Sequence, residues 1–158
     1  MFSEADPHGG KIPAERVQLR PGVEIALDGF SDSMTEEECE GLIWVSPVRW
    51  FSSREFPAEA GGPLGGCGLP TVMVLQIGVA RCSQAMDDYG NPPPAERMDF
   101  EGIRSIDDAA RLDRALCDAS GALEELGLLN GYYADAAEPI GPGGGVVAWT
   151  RQTYWQLA

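Results

Sequence analysis

Thr71-Val-Met-Val-Leu-Gln-Ile-Gly-Val-Ala-Arg-Cys82 is the longest run of strand chemistry in the chain. It combines β-branched and long apolar side chains with no proline, and Gly68 and Pro70 punctuate the chain just ahead of it. Alternation at period two sends Met73, Leu75, Ile77 and Val79 to one face. The other face takes Val72, Val74, Gln76, Gly78, Ala80 and Cys82. A strand with apolar residues on both faces is expected at the centre of a sheet, with something covering each side. The cover for the Met73–Val79 face is predicted as a helix near residues 105 to 126. No segment of comparable strength offers itself for the second face, which leaves two readings: loops of this chain fill it as ordinary core, or another subunit closes it.

The helix is read from Ile106, Ala109, Leu112, Leu116, Ala119, Leu123 and Leu126, which recur at steps of three and four. Ser105 is its expected N-cap, Asp107 and Asp108 suit the positive end of its dipole, and Gly127 and Gly131 stop it. Pro92-Pro93-Pro94 forms a stiff spacer before it. Beyond it, Tyr132 to Ala137 and Val146 to Leu157 read as strands joined through Gly141-Pro-Gly-Gly-Gly145, a glycine-rich hairpin. Upstream, Leu42 to Phe51 reads as a strand with Leu42, Trp44, Val48 and Trp50 on one face. Pro47 lacks an amide donor and places that strand at an edge or makes it bulge. Short strands are predicted at Arg16 to Arg20 and Val23 to Leu27, on either side of a Pro21-Gly22 turn. The expectation is an α+β domain: one mainly antiparallel sheet of about four to five strands with one long amphipathic helix on one face. Residues 1 to 15 are expected as a flexible arm and residues 16 to 158 as a single domain.

With 158 residues the chain can bury a core without a metal or disulfide staple. Its 25 acidic and 11 basic residues give a formal charge of −14, which disfavours exposed contacts with nucleic acid or anionic membrane. No basic segment followed by an apolar one marks a signal peptide, and no window approaches the roughly 18 apolar residues of a membrane span. Cys39, Cys67, Cys82 and Cys117 form no CxxC pair, so zinc is not expected; reduced, buried thiols in a cytoplasm are. The acidic cluster at Glu36, Glu37, Glu38 and Glu40 lacks the spacing of a calcium loop and reads as a solvated turn. Gly61 to Gly68 lacks the lysine and hydroxyl residue of a phosphate-binding loop.

Catalytic chemistry is hard to place. The single histidine, His8, sits in the arm, so Ser-His and Cys-His arrangements have no well-held base. No catalytic residue, cofactor or metal is expected. The positive signal is a surplus of aromatic sheet surface. Trp44, Trp50, Trp149 and Trp155 all lie on strands, and aromatic residues are enriched where subunits pack. Together with Gln76, on the second face of the central strand, these are the candidate subunit-interface residues.

Three features coincide in this chain. They are the strand CGLPTVMVLQIGVARC with a cysteine at each end, the proline-rich spacer with its amphipathic helix, and the closing EPIGPGGGVVAWTRQTYWQL. The acidic turn with Cys39 precedes them. In these respects residues 16 to 157 resemble tail terminator, or head–tail connector, proteins of long-tailed phages infecting actinobacteria. The family's leading amphipathic helix has no counterpart in residues 1 to 15. The resemblance implies a non-enzymatic virion protein, assembled in the host cytoplasm. It implies a ring, usually a hexamer, that caps the tail tube and joins it to the neck or stopper protein, with genome DNA passing through the lumen unbound. A head–tail stopper or other neck adaptor is the neighbouring alternative. A soluble cytoplasmic domain that binds a small ligand or one partner is the alternative from another class, with a small hydrolase behind it.

Overall fold

A computed structural model describes residues 12, 16–21, 41–59, 68–83, 89–143 and 145–158. The expected strand Val23 to Leu27, the acidic turn, most of the N-terminal arm and Gly61 to Cys67 lie outside these residues. Ile12, the one described residue of the arm, is buried in the main core.

The chain forms β1 (Val17–Leu19), β2 (Leu42–Ser52), β3 (Thr71–Cys82), α1 (Ala95–Glu125), β4 (Leu129–Ala134), β5 (Glu138–Gly143) and β6 (Val146–Leu157). It is the expected α+β architecture, an open and mainly antiparallel sheet, here of six strands, with one long helix packed on it. The order is β1-β2-β3-β6-β4, with β5 also on β6 and only β1 parallel to its neighbour. β3 is central, paired along its whole length with β2 on one side and β6 on the other. β4 and β5 pair with successive halves of β6 and together form one outer edge. An edge is where Pro139 can be tolerated. Gly145, at φ 74°, supplies the left-handed residue that turns β5 into β6.

The register of β2 shifts between Pro47 and Arg49, a bulge at the proline. The shift changes the phase of the strand. Trp44 lies opposite Gly78, whereas Trp50 lies opposite Met73, so the two tryptophans point to opposite faces. Placing Leu42, Trp44, Val48 and Trp50 on one face was a period-two reading that the bulge breaks.

The main core lies between sheet and helix and contains Ile43, Ile77, Val79, Leu112, Leu116, Leu129 and Trp155. The second face is covered from within the chain, the core-filling reading and not closure by another subunit. The Trp44 ring occupies the space over Gly78 and packs with Ala80 and Ala148, while Phe51 packs with Val72 and Val74 beside Phe56 and Tyr154. Val72 and Val74 are completely buried.

The helix begins ten residues earlier than its hydrophobic pattern suggests. Pro94 is its N-cap and Glu96 its first-turn acid. A proline fits there because the amides of the first turn have no intrahelical partner to lose. Ser105 is thus mid-helix rather than a cap. The buried line is Glu101, Asp108, Leu112, Leu116 and Ser120, whereas Ile106, Ala119 and Leu126 are exposed. The apolar stripe is half right, since its N-terminal half is occupied by buried polar residues. Gly127, at φ 67°, ends the helix as foreseen, with the Leu128 amide on the Leu123 carbonyl and the Gly127 amide on the Glu124 carbonyl.

Candidate subunit interface

The five aromatic and polar candidates are not brought together. Trp44 is fully buried and Trp155 nearly so, its ring 4.7 Å from that of Tyr132 and tilted 57° to it. Neither has surface left to offer a neighbour. Trp149 is half-buried against the helix, and its indole N–H donates to Ser105 Oγ at 2.7 Å. Gln76 is half-buried in a polar groove with Asp135, Glu138 and Gln152, donating to Thr150 Oγ1 at 3.1 Å. Trp50 alone is open to solvent, 61% exposed.

The Pro47 bulge turns Trp50 onto the Met73 face, the helix side of the sheet. It lines a groove of about 430 Å³ with Leu69, Pro70, Asn130, Leu157 and Ala158. The groove lies where β2 ends, β3 begins and β6 ends. The Ala158 amide donates to the Leu128 carbonyl at 3.2 Å, so the turn after α1 sits alongside. That turn exposes Leu126 at 71% and Leu128 at 57%. One end of the molecule therefore carries an exposed tryptophan in a groove, with two exposed leucines on the neighbouring turn. Sequence reasoning missed Leu69 and Leu157 as lining of this groove, and the exposure of Leu126 and Leu128 on the turn beside it. The available signal was Leu126-Gly-Leu-Leu129, apolar residues packed around a helix stop that cannot all turn inward.

The opposite end of β3 holds a cluster of charged side chains. Arg81 on β3 and Asp108 on α1 form a bidentate pair at 2.5 and 2.8 Å, both side chains 4% exposed. Nearby, Glu101 accepts from Arg97 Nε at 2.9 Å and from Ser83 Oγ at 2.7 Å. Burial, reinforced by the neighbouring charge of Arg81, holds the Arg104 guanidinium below its ordinary pKa. The crevice between these groups and Trp149 measures about 10 Å³, space for about one water molecule. Its chemistry is that of a clamp: a buried pair with ideal fork geometry fixes where the helix crosses the sheet. Sequence reasoning took Asp108 for a dipole partner, because nothing local reveals that Arg81 on β3 comes to face it.

Cys82 is disulfide-bonded and Cys117 is a free, exposed thiol. The expectation of a reduced thiol is corrected at Cys82 and holds at Cys117, where only the expected burial is corrected. Among the described residues no group of three or more metal-ligating side chains converges, and no helix is long and apolar enough to cross a membrane.

No protein-family model matches this chain, and no curated protein matches it.

Proposed function

We propose that this protein is a ring-forming structural subunit of a phage head–tail junction, a tail terminator that caps the tail tube and joins it to the neck. The observation that carries the reading is the apolar groove around Trp50, an exposed aromatic anchor at one end of an open sheet. An anchor of this kind is the usual energetic centre of a protein–protein contact. The resemblance of the central strand and closing hairpin supplies the identity of the assembly. Its partners on this reading are further copies of itself, the major tail tube protein and a neck or stopper protein.

The charge supports the same reading. A ring built from subunits of formal charge −14 presents carboxylates around its lumen, and DNA passes such a wall without adhering. The virion is the proposed site of action, reached by assembly in the host cytoplasm.

The test is assembly on purified tail tubes, scored by negative-stain microscopy and by light scattering. The intact protein is expected to cap tube ends as a closed ring, and Trp50→Ala to remain folded but fail to cap. A protein that stays monomeric in the presence of tubes and leaves their ends bare would overturn the proposal.

A further inference from the structure

β3 ends in Cys82, which is disulfide-bonded within the chain, and Cys117 on α1 is a free thiol. That leaves Cys39 and Cys67 as the two possible partners. Neither is among the described residues, but short stretches of backbone tie both to residues that are. The length of those stretches decides between them, because a disulfide needs its two Cα atoms within about 7 Å.

Cys67 comes four residues before Thr71, where β3 begins, and Cys82 is the last residue of that strand. The eleven steps of extended strand from Thr71 to Cys82 span about 35 Å. Four residues of fully extended chain reach back over at most about 14 Å, which leaves Cys67 about 20 Å short of Cys82. Cys39 comes two residues before Gly41. Leu42 pairs with Ala80 in the antiparallel ladder, and Gly41 continues that line onto the end of β3. A Cβ on Gly41 would lie 3.1 Å from the Ala80 carbonyl oxygen and 3.3 Å from Cγ of Arg81, the residue before Cys82. Two residues reach about 7 Å, enough to bring Cys39 to Cys82.

We infer that Cys39 and Cys82 are bonded to each other, a strap that ties the chain just ahead of β2 to the end of β3. The loop it closes contains β2, the Pro47 bulge and Trp50. Such a bond persists in oxidising surroundings and is kept open in a reducing cytoplasm. A chain made in a cytoplasm therefore starts with both thiols free and is locked later by a small-molecule disulfide such as oxidised glutathione. One cysteine thiolate attacks that disulfide and displaces a small thiol; the second cysteine attacks the resulting mixed disulfide and displaces the other. Two protein thiols are oxidised, the reagent is reduced to two thiols, and the two cysteine protons end on them. The strap does not depend on the ring reading. On that reading it closes when the virion leaves its host.

The test is a disulfide map of the full chain, held in oxidised glutathione, then denatured, alkylated without reductant and cut with trypsin. Cleavage after Arg49, Arg54 and Arg81 puts Cys39, Cys67 and Cys82 on three different peptides. The Cys82 peptide is expected joined to the Cys39 peptide, with Cys67 and Cys117 alkylated. Cys39→Ser is expected to free the Cys82 thiol, and Cys67→Ser to leave it bonded. Reductant is expected to lower the melting temperature of the unmodified protein and of Cys67→Ser by roughly 5–15 °C, and to leave that of Cys39→Ser unchanged. Cys82 joined to the Cys67 peptide, joined to a second chain, or alkylated in the glutathione-treated protein would overturn the pairing. Every arm is read on the isolated protein without tail tubes, so its failure is distinct from a failure of the ring reading.

Discussion

Gly78 shows how one residue can set the packing of a face. A Cβ there would sit 2.7 Å from the Trp149 carbonyl oxygen and closer still to the Trp44 ring, which lies across the strand in the space a side chain would fill. The backbone oxygen cannot yield. Gly78→Ala is expected to cost about 3 kcal/mol or more, seen as a lower urea midpoint with little change in slope. Tyr132 presents the reverse situation. Its hydroxyl is buried with no hydrogen-bond partner, and burial raises its pKa to about 12. Removing an unpartnered buried hydroxyl is favourable, so Tyr132→Phe is expected to stabilise the fold by about 1 kcal/mol. The sign of the pH effect follows. Below pH ~10 the phenol is neutral in both states, and between pH ~10 and about 12 the unfolded chain ionises first and draws the equilibrium away from the native state. The unmodified protein should lose stability across that window by denaturant titration, and Tyr132→Phe should lack this component of the loss.

At the scale of the element, α1 is long because it joins two different jobs. Its C-terminal half packs Leu112 and Leu116 into the core, and its N-terminal half holds Glu101 and Asp108 in the clamp. Its glycines divide the same way. Gly102 and Gly121 lie within the helix with open space where a Cβ would go, whereas Gly127 needs its positive φ to close the helix end. Alanine at 102 or 121 is expected to raise stability by about 1 kcal/mol each, by relieving the entropic penalty of glycine in a helix. Alanine at 127 is expected to lower it by about 1 kcal/mol. Thermal melts of the three variants should move in those opposite directions. The sheet shows a similar division at β2, where the Pro47 bulge sends Trp44 into the second face and Trp50 out to the groove.

Across the whole molecule, the tryptophans divide between buried core and exposed surface, and on the proposed reading that division separates folding from assembly. Trp155 is 6% exposed in the main core, and Trp155→Ala should destabilise the monomer by about 3–5 kcal/mol. Trp50→Ala should leave the chemical-denaturation curve almost unchanged while abolishing oligomer formation by light scattering. A large loss of stability in Trp50→Ala would show that the groove belongs to the fold and not to a contact. The two substitutions remove the same side chain type from the same sheet, so the contrast depends on position alone.

Strand alternation in Thr71–Cys82 and Val146–Leu157, the three- and four-residue spacing of Leu112, Leu116 and Leu123, and glycines at the helix end and hairpin determined the class of fold, because these patterns are local. Three matters depended on the tertiary arrangement. Asp108 became half of a buried pair because Arg81, 27 residues away, comes to face it. The second sheet face was closed from within because Gly78 leaves room for Trp44 to lie across it. Trp50 was left outside because a one-residue slip at Pro47 reverses every later side chain in the strand. A period-two pattern carries no record of such a slip until the neighbouring strand is in place to register it.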